Sequence, residues 1–353
     1  MAAHPPRASE LIDVRPDERL DPDRIEPWLR VRLPGASAPV EVVGQFGGGY
    51  ANLTYLLRCG EREYVLRRPP LGPVAPTAHD MQREHRVLSR LGAAYPLAPR
   101  SFAVCTDPDV LGVDFHVLER RQGFVIRQQV PRDVAGDPAT ARRLGEALVD
   151  ALAALHRVDP REVDLHDLGR PEGYVERQLA GWTRRWQATG RALPAVDRMA
   201  AWLRERLPRQ QAATLLHNDF QIENILLDVS DPATIVAVLD WDMCTRGDPL
   251  MDLGYLLNCW SDPDDDASWR GVSPTPGCAP GLPTRAELVE RYARATGFDV
   301  EHARWYHVFG VLKLAVVLEQ IHVRFQRGQT RDARFGALGA RVEGLAAKGL
   351  TLI

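Results

Sequence analysis

Apolar residues recur with two different periods along this chain, and the change falls about a third of the way in. Up to about residue 118 they alternate with polar ones. Val40-Glu41-Val42-Val43, Leu53-Thr54-Tyr55-Leu56-Leu57, Tyr64-Val65-Leu66-Arg67-Arg68, Ser101-Phe102-Ala103-Val104 and Asp114-Phe115-His116-Val117-Leu118 all read as strands. One helix interrupts them at 79–91, with Met81, His85, Leu88 and Leu91 on one side and Glu84 near the same face. From Asp137 onward the period is helical, over 139–156, 172–190, 196–207, 285–296, 300–327 and a last stretch after Thr330. Inside that region two short β-branched runs, 225–227 and 234–239, flank the turn-like Asp228-Val229-Ser230-Asp231-Pro232 and predict a hairpin. The expected fold class is α+β with two lobes: a tail or leading helix over 1–30, a β-rich N-lobe over 31–120, and a helical C-lobe over 121–353.

With 353 residues and 45% hydrophobic content the chain can bury a sizeable core. Its formal net charge of -3 offers no global attraction to nucleic acid or to an anionic membrane, so neither is expected as a partner. The start, Met1-Ala2-Ala3-His4-Pro5-Pro6-Arg7, lacks a signal-peptide core, and the greasiest stretch, 308–317, is interrupted by Lys313. A soluble cytoplasmic protein is expected. Cys59, Cys105, Cys244, Cys259 and Cys278 are odd in number and lack the paired spacing of a zinc site, which favours reduced thiols. Residues 261–283 are polar and rich in Pro and Gly, and their acids, Asp262 to Asp266, read as a hydrated run in an insertion.

Chemistry concentrates in His217-Asn218-Asp219-Phe220-Gln221-Ile222-Glu223-Asn224 and in Leu239-Asp240-Trp241-Asp242. Phosphoryl transfer needs a carboxylate to orient a hydroxyl and take its proton, and oxygen ligands to hold magnesium against phosphates. Asp219 fits the first role; Asn224, entering the first hairpin strand, and Asp240, leaving the second, fit the other. Taken alone, His217 reads equally as a core histidine and Asp219 as a turn former.

Order along the chain adds weight. The cluster Gly47-Gly48-Gly49-Tyr50-Ala51-Asn52 lies between two strands, where backbone amides could approach phosphates; a plain hairpin turn is the other reading. Arg67 on a following strand and the helical Glu84 could form a phosphate-binding cation and its anchor, or a simple surface pair. Lys313 and Lys348 are the only lysines, so a Gly-x-x-x-x-Gly-Lys-Ser/Thr loop is excluded and any cation for phosphates in the first half is an arginine. Asp248, before Pro249, and Asp252 read as capping and support for a helix and the acidic loop.

Taken together, His217-x-Asp219 with Asn224, Leu239-Asp240-Trp241-Asp242 and Gly247-Asp248-Pro249-Leu250-Met251-Asp252-Leu253 resemble the aminoglycoside phosphotransferase and choline kinase superfamily of small-molecule kinases. Asn52-Leu53-Thr54-Tyr55, Tyr64 to Pro70 and Leu168 to Tyr174 are most similar to the kinase domains of acyl-CoA dehydrogenase 10 and 11 type proteins. The resemblance covers about residues 35 to 330 and implies a protein-kinase-like fold with ATP and Mg²⁺. It implies Asp219 as catalytic base, His217 as loop organiser, and Asn224 and Asp240 as metal ligands. Nucleotide contacts would come from Gly48, Gly49, Tyr50, Ala51, Asn52, Arg67 and Glu84, with adenine recognised around Glu119 and Arg121. Arg67 stands where the family usually has lysine, and Asp242 where glutamate is more usual.

The acceptor is expected to be a small-molecule alcohol. Aminoglycosides are polycations that call for clustered carboxylates, whereas Arg177, Arg184, Arg185, Arg324, Arg327, Arg331 and Arg334 offer cations, or simply soluble helix faces. Family likeness implies a hydroxyacyl-CoA or hydroxy acid. The alternatives are an aminoglycoside-type enzyme, a catalytically silent nucleotide-binding module of the same fold, and a phosphohydrolase using Asp219 and Asp240.

Overall fold

The computed structural model describes residues 11–35, 39–47, 52–71, 80–127, 130–262, 265, 279–329 and 333–353. The chain divides into two compact units. One comprises Met1–Phe124, Leu226–Asp231 and Val236–Cys244; the other comprises Val125–Ile225, Pro232–Ile235 and Thr245–Ile353.

Alternation in the first unit builds a six-stranded antiparallel sheet of β1 (Leu11–Ile12), β2 (Val40–Phe46), β3 (Leu53–Cys59), β4 (Arg62–Arg68), β5 (Ser101–Cys105) and β6 (Phe115–Glu119). Their order is β1-β2-β3-β4-β6-β5. Leu53, Tyr55, Leu57 and Cys59, two apart on β3, enter one core with Tyr64 and Leu66 of β4 and Phe115 and Val117 of β6. The leading segment joins that core through α1 (Pro22–Arg32), which starts with Pro22 after an Asp21 cap and buries Ile25 and Leu29, one turn apart.

The helix α2 (Met81–Leu91) is capped by Asp80, whose carboxylate accepts from the Arg83 N–H. Its buried face is Met81, Glu84, Val87, Leu88 and Leu91. Glu84 therefore sits near the middle of that face, 1% exposed, while His85, expected on the face, is half-buried at its margin. A carboxylate tolerates that place only because a cation waits inside. The segment around Asp240, expected with the helices, groups with the sheet because the Val238 N–H donates to Leu97 O at 2.8 Å and the fully buried Trp241 packs edge-on against Tyr95.

The second unit is helical. Its elements include α5 (Pro138–His156), α6 (Tyr174–Thr189), α7 (Pro194–Glu205), α8 (Leu250–Cys259), α9 (Arg285–Thr296), α10 (Ala303–Gln326) and α11 (Leu338–Thr351); the short α3 (Pro108–Leu111) and α4 (Arg132–Ala135) precede them in the chain. All ten residues of α8 are buried, and α10 is buried almost continuously from Ala303 to Glu319, because α6, α7, α8 and α11 surround it. The crossing of α8 and α10 depends on glycine, since a Cβ on Gly310 would meet the Gly254 carbonyl oxygen at 2.7 Å.

Among the described residues no helix is long and apolar enough to cross a membrane. Cys59, Cys105, Cys244 and Cys259 are buried and form no disulfide; Cys278 lies outside the described residues. Asp262 and Asp265 differ from the expected hydrated run. Asp265 forms a two-armed pair with Arg285 at 2.6 Å per arm, and Asp262 accepts from the Arg285 N–H at 2.8 Å.

Removing the fully buried Leu29 side chain leaves a cavity beneath the sheet, so Leu29→Ala is expected to cost about 2–5 kcal/mol in chemical denaturation. Val31, two residues on and 82% exposed, serves as the control, and Val31→Ala should stay within about 0.5 kcal/mol.

Candidate active site

In the second unit, the strand β7 (Thr214–Leu216) pairs with β8 (Thr245–Gly247), Thr245 opposite Leu216. That ribbon sets the loop beginning at His217 beside the start of α8. Glycine is needed at 247, where a Cβ would run into the Tyr174 ring at 2.5 Å. The Tyr174 hydroxyl in turn donates to Asn218 Oδ1 at 2.9 Å.

Asp252, in the first turn of α8, is fully buried. Its carboxylate accepts the backbone N–H of His217 at 2.6 Å and of Asn218 at 2.7 Å, with His156 Nε2 3.3 Å away. Burial favours the neutral acid, but the bonds and charges of His156 and His217 outweigh it and hold this carboxyl below its ordinary value. Behind His156, the Tyr292 hydroxyl lies 2.6 Å from Nδ1. Burial, with Asp252 and Asp248 nearby, raises the Tyr292 hydroxyl. Asp248, also buried, accepts from the Gln211 and Leu250 N–H groups, each at 3.0 Å.

Asn218 adopts a left-handed conformation with φ 66°. Past it, the Asp219 N–H donates to His217 Nδ1 at 3.3 Å, and the His217 ring meets Phe220 edge-on. Asn224 Nδ2 donates to Asp219 Oδ2 and to Asp219 O, both at 2.8 Å. The loop thus brings Asp219 and Asn224 into direct contact.

The first unit holds the other expected residues. Arg67 is buried and donates from one arm to Glu84 Oε1 at 2.6 Å and from the other to Asp240 Oδ1. Burial opposes the guanidinium charge, but Asp240 and Glu84 outweigh it and raise its affinity for the proton. Glu84 also accepts from the Trp241 N–H at 3.3 Å and has His116 Nε2 3.2 Å from Oε2. Burial pushes this carboxyl up, yet Arg67 and then His116 bring it down to about 2. His116 Nδ1 continues to Ser101 Oγ at 3.3 Å, and Ser101 to His85 at 2.8 Å. Asp240, like Asn218, is left-handed, with φ 67°.

Gly48, Gly49, Tyr50 and Ala51 lie outside the described residues. Asn52 is buried at the start of β3. Glu119, at the end of β6, uses its N–H on Arg100 O at 2.8 Å and its carboxylate on Arg121 at 3.0 Å. Two of the arginines weighed as anion holders have local partners: Arg177 donates to the carbonyls of Arg170 and Glu172, and Arg185 stacks over Trp182 at 4.4 Å.

Residues 42–306 match the model of the Phosphotransferase enzyme family. This chain belongs to that family. It is 30% identical to acyl-CoA dehydrogenase family member 10 of Mus musculus and to family member 11 of Rattus norvegicus, over 94% and 97% of its own length. The chain spans only 31% and 44% of those two relatives. A crystal structure of a candidate aminoglycoside phosphotransferase from Ralstonia eutropha matches with a TM-score of 0.80 at 28% identity, covering 95% of this chain and 98% of that one. The fold is accordingly the α+β fold of kinase-like phosphotransferases, a sheet-rich N-terminal region followed by helices.

Sequence reading missed the residues that hold the motif from behind. His156, Tyr292, Tyr174, His116 and Ser101 come from separate elements, and no local spacing marks them. The only available signal was their type, buried polar groups in otherwise apolar runs.

Glu84 yields a pH prediction. Its folded value of about 2 lies below its ordinary 4.5, so its contribution to stability is complete above about pH 4.5 and disappears as pH falls toward 2. Glu84→Gln is expected to lower stability at neutral pH by about 3–5 kcal/mol, because Arg67 is left buried with one partner fewer. The gap from wild type should narrow across that acid window in denaturation experiments. A gap independent of pH would refute the assignment.

Proposed function

We propose that this phosphotransferase moves the γ-phosphoryl group of ATP, with Mg²⁺, to the alcohol hydroxyl of a small molecule, a hydroxyacyl-CoA or hydroxy acid. The observation that carries the reading is the Asp219–Asn224 contact at 2.8 Å, a carboxylate and an amide on one loop whose backbone the buried Asp252 holds. The acceptor class follows the likeness to the two acyl-CoA dehydrogenase family members.

In this reading Asp219 orients the acceptor hydroxyl and receives its proton as the oxygen attacks the γ-phosphorus, while ADP leaves. Asn224 and Asp240 are the proposed magnesium ligands. Their hard oxygens suit that ion, which takes one or two carboxylates along with phosphate oxygens and water. Among the described residues no group of three or more His, Cys, Asp and Glu could hold a metal ion; the proposed site adds the nucleotide's phosphate oxygens to Asn224 and Asp240. When bound, the ion neutralises charge developing on the phosphates. Arg67, fixed by Glu84, is assigned to the phosphates, with Gly48 to Asn52 contributing backbone N–H groups and Glu119 to Arg121 meeting the adenine. His217, Asp248 and Asp252 support the loop. The nucleotide is assigned to residues 31–120 and the acceptor to 121–353.

A silent nucleotide-binding module is the second reading. It draws on Arg67, which stands at the usual lysine position and has one arm on Asp240.

ADP release measured over hydroxyacyl-CoAs, hydroxy acids, sugars, choline and aminoglycosides separates the two. Wild type should turn over with at least one hydroxyacyl acceptor. Asp219→Ala should lower turnover by about 10²–10⁴-fold while retaining the MgATP-dependent thermal shift. A thermal shift without turnover on any acceptor supports the silent module, and robust aminoglycoside turnover replaces the acceptor class.

A further inference from the structure

Lys313 is one of two lysines in the chain, and it is buried in the middle of α10. An ammonium removed from water costs several kcal/mol unless partners replace its hydration. Three features supply that replacement. Nζ donates to the backbone carbonyl of Asn218. It lies 4.4 Å from the centroid of the Tyr255 ring, on α8, and 5.9 Å from that of Trp182, on α6. Burial lowers the affinity of Lys313 for its proton and Arg185 of α6 adds to that, while Asp219 of the loop and Asp252 and Cys259 of α8 favour the charged form. Burial raises the Tyr255 hydroxyl well above its ordinary value, and the nearby Asp219 adds to that.

The carbonyl that Lys313 grips has a particular place. The Asn218 C=O and the Asp219 N–H belong to one planar peptide unit, which turns only as a whole. Lys313 holds the oxygen end, and His217 Nδ1 accepts from the nitrogen end at 3.3 Å. Just before it, Asp252 accepts the Asn218 N–H, and Tyr174 binds Asn218 Oδ1. The left-handed Asn218 is therefore clamped at its N–H, C=O and side-chain oxygen, and the plane leading into Asp219 is clamped at both ends.

We propose that Lys313 is a positioning residue for Asp219: its ammonium, set by the Tyr255 ring, locks the 218–219 peptide plane and so the aim of the Asp219 carboxylate. A neutral apolar side chain here removes the donor to the Asn218 carbonyl and so loosens the oxygen end of the plane, while the His217 contact at the nitrogen end remains. The inference rests on reading Asp219 as the base.

The test combines kinetics with hydrogen exchange on the full chain. MgATP-dependent ADP release by wild type judges the kinase reading on its own. Lys313→Met is expected to lower kcat by about 10²-fold with the KM for ATP unchanged, the split produced by a misaimed base. Lys313→Arg, which keeps a cationic donor, should recover most of that loss. In parallel, amide exchange over 217–221 should rise about tenfold in Lys313→Met, while α8 stays protected. Native kcat together with native exchange over 217–221 in Lys313→Met would overturn the proposal, as would a change in KM alone. If wild type shows no turnover, the kinase reading fails and the exchange result decides the role of Lys313. Should Lys313→Met not fold, Lys313→Gln replaces it; a smaller loss in the same direction supports the proposal, and native kcat with native exchange overturns it.

Discussion

A carboxylate with no access to water must be satisfied by its surroundings, and Asp252 meets that demand with the backbone of the acidic loop itself. Its two oxygens accept consecutive N–H groups, from His217 and Asn218, while His156 approaches from α5 and is steadied by Tyr292 of α9. Loosening any member leaves a buried charge short of partners, so loop and helices hold one another in place. The half-buried end of this arrangement is Asp219 in contact with Asn224.

The sheet unit solves a similar problem with arginine. Arg67 reaches Glu84 and Asp240 with different arms of a planar fork, a geometry that a lysine, carrying one compact ammonium, does not share. Glu84 can occupy the buried face of α2 because Arg67 and His116 meet it there, with the Trp241 N–H as a third partner.

Much of the fold was legible because burial imposes a period on any element that covers a core. Strands β2 to β6 and helices α2, α5, α6, α7, α9 and α10 all lie where alternation or helical spacing places them. The two-residue β1 and the three-residue β7 and β8 were not legible, since so few residues carry no period. The hydrated run expected at 262–266 differs at Asp262 and Asp265, because Arg285, twenty or more residues away, provides a guanidinium that local composition does not reveal.

By itself the sequence determined the two kinds of secondary structure, the order of the chemical groups and the absence of a lysine-bearing phosphate loop, all properties of residue type and spacing along one dimension. Only the tertiary structure decided that Glu84 is central to its helix face, that Asp240 groups with the sheet, and that Asp252, His156, Tyr174 and Lys313 converge on Asn218 and its neighbours. The reason is physical. A buried polar group must find its partner wherever the fold brings one, and those partners lie 34 to 96 positions apart in the chain.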